Sequence, residues 1–137
     1  MGMARIVETK LRVRYAETDQ MGVVYHANYL VWMEVGRVEY FRETGLSYRD
    51  LEQNDGILLL VAEVGCRYKA PAHYDEEVIV RTKVAEASAR TVHFEYELVS
   101  AIQNRVLATG FTKHVFCGRD KRPAKLPEKY RAQFIKA

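Results

Sequence analysis

The chain has 137 residues and a formal net charge of +3 at pH 7, with 48% hydrophobic and 28% charged residues. This length suits one domain with one hydrophobic core, and this composition excludes a disordered or collagen-like chain. We therefore expect a single domain over residues 1–137. The small net charge permits an anionic ligand without requiring nucleic acid as a partner.

Cysteine usage and the longest apolar run bear on location. The two cysteines, Cys66 and Cys117, form no CxxC pair, so we expect neither a disulfide scaffold nor a thiolate metal site, and a reducing compartment fits. The longest apolar run, residues 57–62, is too short for a membrane span, which needs about 20 residues. The N-terminus lacks the apolar stretch of a signal peptide. These features favour a cytoplasmic protein without a membrane span.

The first predicted element is a strand over residues 10–15. Its apolar side chains alternate with Lys and Arg, as in a half-buried strand: Leu11, Val13 and Tyr15. A polar loop containing Gly22 follows. The loop therefore follows a predicted strand and directly precedes the longest predicted helix of the chain.

The helical pattern runs over residues 28–43. Three charged side chains share one narrow polar face: Glu39, Arg42 and Glu43. Apolar side chains cover most of the rest: Leu30, Val31, Met33, Val35, Val38 and Phe41. We therefore expect a helix that is largely enclosed and that ends at Gly45. A second, short helix is predicted over residues 47–53, with Ser47 as its cap.

The remaining segments predict strands over residues 57–69, 77–86, 91–100 and 106–117, and a short helix over residues 127–135. Short polar connections at residues 87–90 and 103–105 indicate hairpins. The order of elements predicts an α+β fold in which a five-stranded antiparallel sheet wraps around one long central helix. One helix covers only one face of such a sheet, so we expect at least a dimer.

Several standard sites are absent from the sequence. There is no P-loop, no dinucleotide-binding GxGxxG, no GxSxG and no HExxH. The four histidines have no metal-ligand spacing, and the nine tyrosines are not grouped as in a nucleic-acid stacking motif. We therefore predict no metal, no cofactor and no nucleic-acid partner.

The chemistry is concentrated in residues 15–29, which join the first strand to the long helix. A carboxylate beside a helix N-terminus feels the positive end of the helix dipole, and the free N–H groups there can bind an oxyanion. Carboxylate plus oxyanion donors suit acyl transfer from a thioester, whose thiolate leaves readily. Spacing alone does not choose between Glu17 and Asp19. The alternative is that Asp19 and Thr18 merely cap the loop and Gly22 merely turns it.

The pattern YxxTDxxGxVYHxNYxxxxExxR, over residues 15–37, closely resembles the 4-hydroxybenzoyl-CoA thioesterase family of acyl-CoA thioesterases. The later YKAPAHYD, over residues 68–75, resembles the bacterial branch of that family associated with the Tol–Pal system. The resemblance extends over nearly the whole chain. It implies a hotdog fold, in which a five-stranded antiparallel sheet surrounds a central helix, and a single hotdog thioesterase domain over residues 1–137.

Position by position, the resemblance implies that Asp19 is the catalytic carboxylate, as a nucleophile or as a general base toward water. It implies that the N–H at or near His26 is the oxyanion donor and that the His26 side chain also lies in the active site. Further residues of the motif would line the pocket or hold the loop: Gly22, Val24, Tyr25, Asn28 and Tyr29.

The implied activity is hydrolysis of acyl-CoA to a free acid and CoA, without metal or cofactor. The family forms homodimers with the site at the interface, usually paired into homotetramers. We expect acyl contacts from the long helix and from residues 58–62, including Leu59 and Val61. Candidates for binding the CoA phosphates are Arg90, which lies at a hairpin, and Arg67, Lys69 and Lys113, although for any one of them a solvated charge at a strand edge is favoured.

Glu34 and Arg37 fall within the apolar arc of the long helix, where unpaired charges are costly. Their i, i+3 spacing allows an ion pair, so a structural pair is favoured over catalysis. Glu34 remains the fallback catalytic acid.

Three alternatives to an acyl-CoA thioesterase stay open. The chain can be a thioesterase acting on acyl carrier protein, a hotdog hydratase, or a non-catalytic acyl-CoA-binding or scaffold protein. The motif is of the thioesterase type, which disfavours the hydratase. Turnover of acyl-CoA separates an enzyme from a binding protein.

Overall fold

The structure is a computed structural model that describes residues 5–131. Its helices and strands follow one another along the chain in this order: β1 (Ile6–Arg12), α1 (Asn28–Glu43), α2 (Tyr48–Gln53), β2 (Leu58–Tyr68), β3 (Glu77–Ala87), β4 (Thr91–Ser100), β5 (Arg105–Cys117) and α3 (Glu128–Arg131). One turn of 3-10 helix, Tyr15–Glu17, follows β1. The predicted helix over residues 127–135 is present as α3, and residues 132–135 of that prediction lie outside the described residues.

The five strands form one antiparallel sheet in the order β1-β3-β4-β5-β2, which confirms the predicted fold class. The alternation of β4 turns Val92, Phe94, Tyr96 and Leu98 into the core. A register shift at residues 61–63 of β2 marks a bulge in the edge strand. Both β1 and β2 are edges of the sheet, so each has one unpaired side.

Helix α1 packs across the sheet over β1, β3 and β4. Its buried side chains share one face: Tyr29, Trp32, Met33, Tyr40 and Phe41. Gly36 lies on the same face, where a Cβ would collide with the Thr82 hydroxyl and the Val80 methyl group. The missing side chain therefore lets the helix approach β3 closely.

The expectation that α1 is largely enclosed is wrong for the single chain. Leu30, Val31 and Val35 are 37%, 48% and 37% exposed, although Met33 and Phe41 are buried and Val38 is half-buried. The physical reason is that the sheet covers one side of the helix only. Apolar residues of β2 are exposed as well: Leu60, Val61 and Val64.

The first strand also ends earlier than predicted. β1 stops at Arg12, and Tyr15, placed on its buried face by the alternation, is 77% exposed. Tyr15 begins the 3-10 turn, which takes it out of the strand geometry.

The short second helix is confirmed as α2, and so is its predicted cap. The Ser47 hydroxyl accepts a hydrogen bond from the Asp50 N–H at 3.2 Å.

Candidate active site

Asp19 lies in a tight turn between the 3-10 segment and α1. The Asp19 N–H donates to the Val23 carbonyl, and the Gly22 N–H donates to the Asp19 carbonyl, both at 2.9 Å. Gly22 has φ +80°, a left-handed conformation that glycine adopts without strain. The Asp19 carboxylate accepts from the Met21 N–H at 2.9 Å in a solvent-accessible hydrogen bond. The turn therefore holds a half-buried carboxylate whose hydrogen bond is accessible to solvent.

Glu17, two residues earlier, has a more buried side chain than Asp19. Its side chain is buried and accepts from the Arg14 N–H at 2.8 Å and from the Trp32 indole N–H at 3.0 Å. Burial pushes the pKa of Glu17 upward, but these hydrogen bonds, with help from the Arg14 guanidinium, outweigh burial and leave the pKa below its usual value. Glu17 is thus held as an internal anchor for the loop.

The loop returns to this anchor before α1 begins. The Glu17 carbonyl accepts from the Tyr25 N–H and from the Asn28 side-chain amide, both at 2.9 Å. Val24 is buried, and its N–H donates to the Ala72 carbonyl at 2.9 Å. These hydrogen bonds connect the loop to the start of α1 through Asn28 and to the connection between β2 and β3 through Ala72.

The start of α1 carries free donors. Its N-cap, Ala27, provides no side-chain hydrogen bond. The N–H groups of Asn28 and Tyr29 donate to the carbonyls of Tyr25 and His26, whereas within residues 5–131 neither His26 nor Ala27 donates its N–H to a backbone carbonyl. The His26 side chain is exposed, with its ring centroid 4.5 Å from that of Tyr25. Two adjacent N–H groups at a helix N-terminus form a suitable oxyanion site.

The predicted site residues fall into two groups. The first group lies on the loop and the first turn of α1, together with Asp19: Gly22, Val24, Tyr25, His26, Asn28 and Tyr29. The Tyr29 hydroxyl, which is buried, accepts from the Ala72 N–H at 3.3 Å, so Tyr29 holds the neighbouring connection in place.

The second group lies at the other end of the sheet in the same chain. Leu59 pairs with Phe116, whose N–H donates to the Arg90 carbonyl at 2.9 Å. Leu59 precedes Tyr68 by nine positions in β2, which is about 30 Å of strand. One chain therefore does not bring Leu59, Val61 and Arg90 next to Asp19. Among the other candidates for the CoA phosphates, Arg67 and Lys69 are exposed, and Lys113 lies 3.6 Å from Glu63.

The predicted ion pair between Glu34 and Arg37 is wrong. Glu34 is exposed, and Arg37 turns inward, where its Nη1 donates to the Tyr96 hydroxyl at 3.3 Å. Local spacing allowed the pair, but a strand packed below the helix provides the nearer partner. The hydroxyls of Tyr96 and Thr112 are 2.7 Å apart, and the Thr112 hydroxyl is 2.8 Å from the His114 Nε2. These four residues form a buried polar network: Arg37, Tyr96, Thr112 and His114.

Tyr68 is the site residue that the sequence analysis did not assign a role. Its hydroxyl donates to the His26 carbonyl at 2.9 Å, and its ring meets the Tyr29 ring edge-on at 5.1 Å. Tyr68 belongs to the second stretch of family resemblance, but the sequence contains no signal for a partner 42 positions away. Tyr68 places the end of β2 directly beside the start of α1.

Among residues 5–131, no cluster of three or more His, Cys, Asp or Glu side chains is arranged to hold a metal ion. Within residues 5–131, none of the helices has the length and hydropathy that a membrane-spanning helix requires.

Comparison with known proteins agrees with this geometry. A family model described as the thioesterase-like superfamily matches residues 13–134. The acyl-CoA thioesterase YbgC of Haemophilus influenzae is 32% identical over 127 residues, which cover 90% of each protein. YneP of Bacillus subtilis, whose name assigns it acyl-CoA thioesterase activity only provisionally, is 43% identical over 93 residues, which cover 68% of this chain and 67% of that protein.

A DHNA-CoA thioesterase from Staphylococcus aureus has a similar solved structure. Its TM-score is 0.84 at 36% identity, with 88% of this chain and 80% of that chain covered. A 4-hydroxybenzoyl-CoA thioesterase mutant shares the fold with a TM-score of 0.86 at 19% identity, over 95% of this chain and 99% of that chain. The five-stranded sheet and central helix are thus those of the hotdog fold, and the chain belongs to the thioesterase-like superfamily.

Proposed function

We propose that this chain is an acyl-CoA thioesterase, which hydrolyses acyl-CoA to a free acid and CoA. The observation that carries the proposal is that one loop holds both the half-buried carboxylate of Asp19, whose hydrogen bond is solvent-accessible, and two uncommitted N–H groups at the start of α1. Glu17, the competing acid, is committed to Trp32 and Arg14. The named activities of the relatives support the same reaction.

In the proposed reaction the thioester oxygen accepts hydrogen bonds from the N–H groups of His26 and Ala27, which stabilise the negative charge that develops on it. Asp19 either attacks the carbonyl carbon, forming an anhydride that water then hydrolyses, or removes a proton from the attacking water. In both versions the C–S bond breaks, and CoA leaves as a thiolate that takes up a proton. The reference pKa of a thiol is about 8.5, so departure needs no strong general acid.

We place the complete site between two copies of the chain. The edge strand β2 is unpaired on one side, and apolar residues of β2 and α1 are exposed near it. If two copies join their β2 strands antiparallel, the Leu59 end of one strand lies beside the Tyr68 end of the other. Leu59, Val61 and Arg90 of a second copy then approach Asp19 of the first. The proposal therefore includes a homodimer, or a homotetramer built from two such dimers.

The remaining roles in the proposal follow from this arrangement. Tyr25, Asn28 and the exposed side of α1 contact the acyl group together with Leu59 and Val61, and Arg90 contacts the CoA phosphates. The protein is one thioesterase domain. Cys66 and Cys117 are both free thiols, which is compatible with a reducing compartment such as the cytoplasm.

The test is thiol release, measured with a thiol-reactive dye, from short, long and aromatic acyl-CoAs and from an acyl carrier protein thioester. The aromatic arm is included because one relative is named for DHNA-CoA. Release from at least one acyl-CoA supports the proposal. Binding of acyl-CoA without release supports the binding-protein alternative, and release only from acyl carrier protein supports that substrate instead. Sizing with light scattering at micromolar concentration tests the assembly, and a monomer contradicts the interface site.

A further inference from the structure

The hydrogen bond from Tyr68 to the His26 carbonyl acts on the peptide unit that carries one of the two free donors. A peptide unit is planar and trans, so the carbonyl of His26 and the N–H of Ala27 point in opposite directions in one rigid plane. The His26 carbonyl accepts from the Tyr68 hydroxyl at 2.9 Å and from the Tyr29 N–H at 3.3 Å. Fixing the carbonyl from two sides therefore fixes the direction of the Ala27 N–H.

The Tyr68 ring is itself held in position. It packs edge-on against Tyr29, at 5.1 Å between ring centroids, and against His26, at 6.2 Å. Tyr29 is buried and accepts from the Ala72 N–H. Strand β2 pairs with β5 at this point, where Tyr68 lies opposite Ala108. The hydroxyl that reaches His26 thus extends from a rigid element rather than from a mobile loop.

A hydrogen bond to the carbonyl of an amide also polarises its N–H. Chains of hydrogen bonds strengthen one another in this way, since each acceptor becomes a better donor at its other end. The sequence of groups is the Tyr68 hydroxyl, the His26 carbonyl, the Ala27 N–H and then the thioester oxygen. This effect is largest when the oxygen carries the negative charge of the tetrahedral intermediate.

We propose that Tyr68 is a positioning residue of the thioesterase reaction, which aligns and polarises the His26–Ala27 peptide unit for binding of the oxyanion. This inference rests on the proposed function, because it assigns a role within the same site. It does not make Tyr68 a group that touches the substrate's reacting atoms.

The protonation of Tyr68 is compatible with this role at every useful assay pH. Desolvation of the phenol raises the pKa of Tyr68 to about 12. The hydroxyl therefore keeps its proton and donates throughout the neutral range. Loss of the hydroxyl should leave the pH profile of the reaction unchanged in shape.

The test compares Tyr68→Phe with the wild-type chain and with Tyr74→Phe. Phe keeps the ring contacts with Tyr29 and His26 and removes only the donor. Tyr74, in the connection between β2 and β3, is 58% exposed and its ring meets that of Tyr15 edge-on. Its hydroxyl, unlike that of Tyr68, makes no hydrogen bond to the start of α1 among residues 5–131, so Tyr74→Phe is a matched loss of one phenol hydroxyl. All three proteins are assayed against the acyl-CoA panel.

We expect Tyr68→Phe to lower kcat about 5- to 20-fold, less than the 10²- to 10³-fold loss for removing an oxyanion donor outright. The loss should be similar for every acyl-CoA that the wild type hydrolyses, because the oxyanion is common to all thioesters. KM, the melting temperature and the shape of the pH profile should stay unchanged, and Tyr74→Phe should match the wild type. Wild-type kcat in Tyr68→Phe overturns the inference. So does a loss that appears in KM or varies with the acyl group, which indicates a pocket-lining residue instead.

Amide hydrogen exchange gives a readout that does not depend on activity. Tyr68→Phe should accelerate exchange in the peptide that contains Asn28 and Tyr29, because the Tyr29 N–H shares the His26 carbonyl with the Tyr68 hydroxyl, and Tyr74→Phe should not. If the wild-type chain hydrolyses no thioester, the proposed function fails, while faster exchange still supports the positioning contact. If exchange is unchanged in Tyr68→Phe, the positioning role is wrong even for an active enzyme.

Discussion

Two polar regions of this molecule contain titratable groups in opposite settings. In the loop before α1, Asp19 is half-buried and its carboxylate accepts one solvent-accessible hydrogen bond. In the buried polar network of Arg37, Tyr96, Thr112 and His114, the imidazole is 1% exposed and its Nε2 is engaged by a hydroxyl. Residue type alone would make both groups candidates for acid–base chemistry. Their surroundings leave the carboxylate open to a substrate and enclose the imidazole in the core.

Glu17 lies in the same loop as Asp19, but its side chain is buried like that of His114. Its carboxylate receives hydrogen bonds from both ends of the loop region, at Arg14 and at Trp32. A buried acceptor with committed donors stabilises the fold, whereas an exposed acceptor with few donors can change partners during a reaction. Substitutions at Asp19, Glu17 and His114 can separate these two kinds of polar group by experiment.

The largest expected effect is that of Asp19→Asn on turnover. The Asn side-chain oxygen can still accept from the Met21 N–H, so the turn and the melting temperature should survive. The amide cannot act as a nucleophilic carboxylate or a general base, so kcat should fall at least ~10²-fold. Substrate affinity should stay similar or rise, because one negative charge near an anionic ligand is lost. A folded Asp19→Asn variant with near wild-type turnover would remove Asp19 from the mechanism and direct attention to Glu34.

Glu17→Gln should show the opposite division between stability and turnover. Gln presents an NH₂ group to at least one of the donors that now meet the carboxylate, which leaves a buried donor unpaired. We expect the free energy of unfolding to fall by about 1–3 kcal/mol, measured by urea denaturation at fixed protein concentration. Turnover per folded molecule should fall much less than in Asp19→Asn. A 10²-fold loss of turnover with unchanged stability would reverse the roles assigned to the two acids.

The buried network should appear as a pH dependence of stability. Burial, followed by the charge of Arg37, lowers the pKa of His114 to about 4. The unfolded chain, with an ordinary His, takes up a proton near pH 6.5, so stability is full above that pH and declines as the pH falls toward 4. From pH 7.5 to pH 5 this single group should cost about 2 kcal/mol of unfolding free energy.

His114→Gln tests this assignment, since the amide can keep a hydrogen bond to Thr112 and cannot be protonated in that range. The variant should lose most of the decline in stability between pH 7.5 and pH 5. His93→Gln, on the neighbouring strand β4 and half-buried, is the matched control and should keep the decline. Equal pH dependence in wild type and His114→Gln would show that His114 is not the group responsible.

Much of the fold was predictable because it depends on local patterns. The bounds of α1 and β4 are as predicted, since α1 is a long segment followed by Gly45 and β4 alternates clearly between polar connections. The Ser47 cap of α2 was also predictable from one residue and its neighbour three positions on. The exposed side of α1 was not predictable, because the sequence pattern shows which residues are apolar but does not show which element covers them.

The loop of the candidate site and its residues were predictable from the sequence, but their long-range contacts were not. The loop before the helix and the choice of Asp19 came from the motif and its resemblance, and the roles of these residues remain predictions. The difference between Asp19 and Glu17 depends on Trp32, and the contact of Tyr68 with His26 spans 42 positions. Arg37 likewise pairs with Tyr96 instead of Glu34 because β4 packs beneath the helix. Such contacts exist only once the chain is folded.

The smallest expected effect is that of surface charge on binding of the CoA portion. Arg90 is exposed, and an exposed ion pair contributes about 0.2–1 kcal/mol and is screened by salt. Arg90→Ala should therefore raise KM by no more than about fivefold with kcat nearly unchanged, and higher ionic strength should raise the wild-type KM in the same direction.

Lys10→Ala is the matched control for this last prediction. Lys10 is an exposed cation on β1, at the sheet edge opposite β2, so its loss should leave KM unchanged.

In the proposed dimer, Arg90 of one copy lies in the same active site as Asp19 of the other copy. A mixture of Arg90→Ala and Asp19→Asn chains, exchanged into mixed dimers, therefore contains dimers in which one site carries both substitutions and the other site carries neither. If the site is shared, the activity of the mixed dimers should have the wild-type KM. If that activity has the raised KM of Arg90→Ala instead, then Arg90 acts within its own chain and the antiparallel pairing of β2 is wrong.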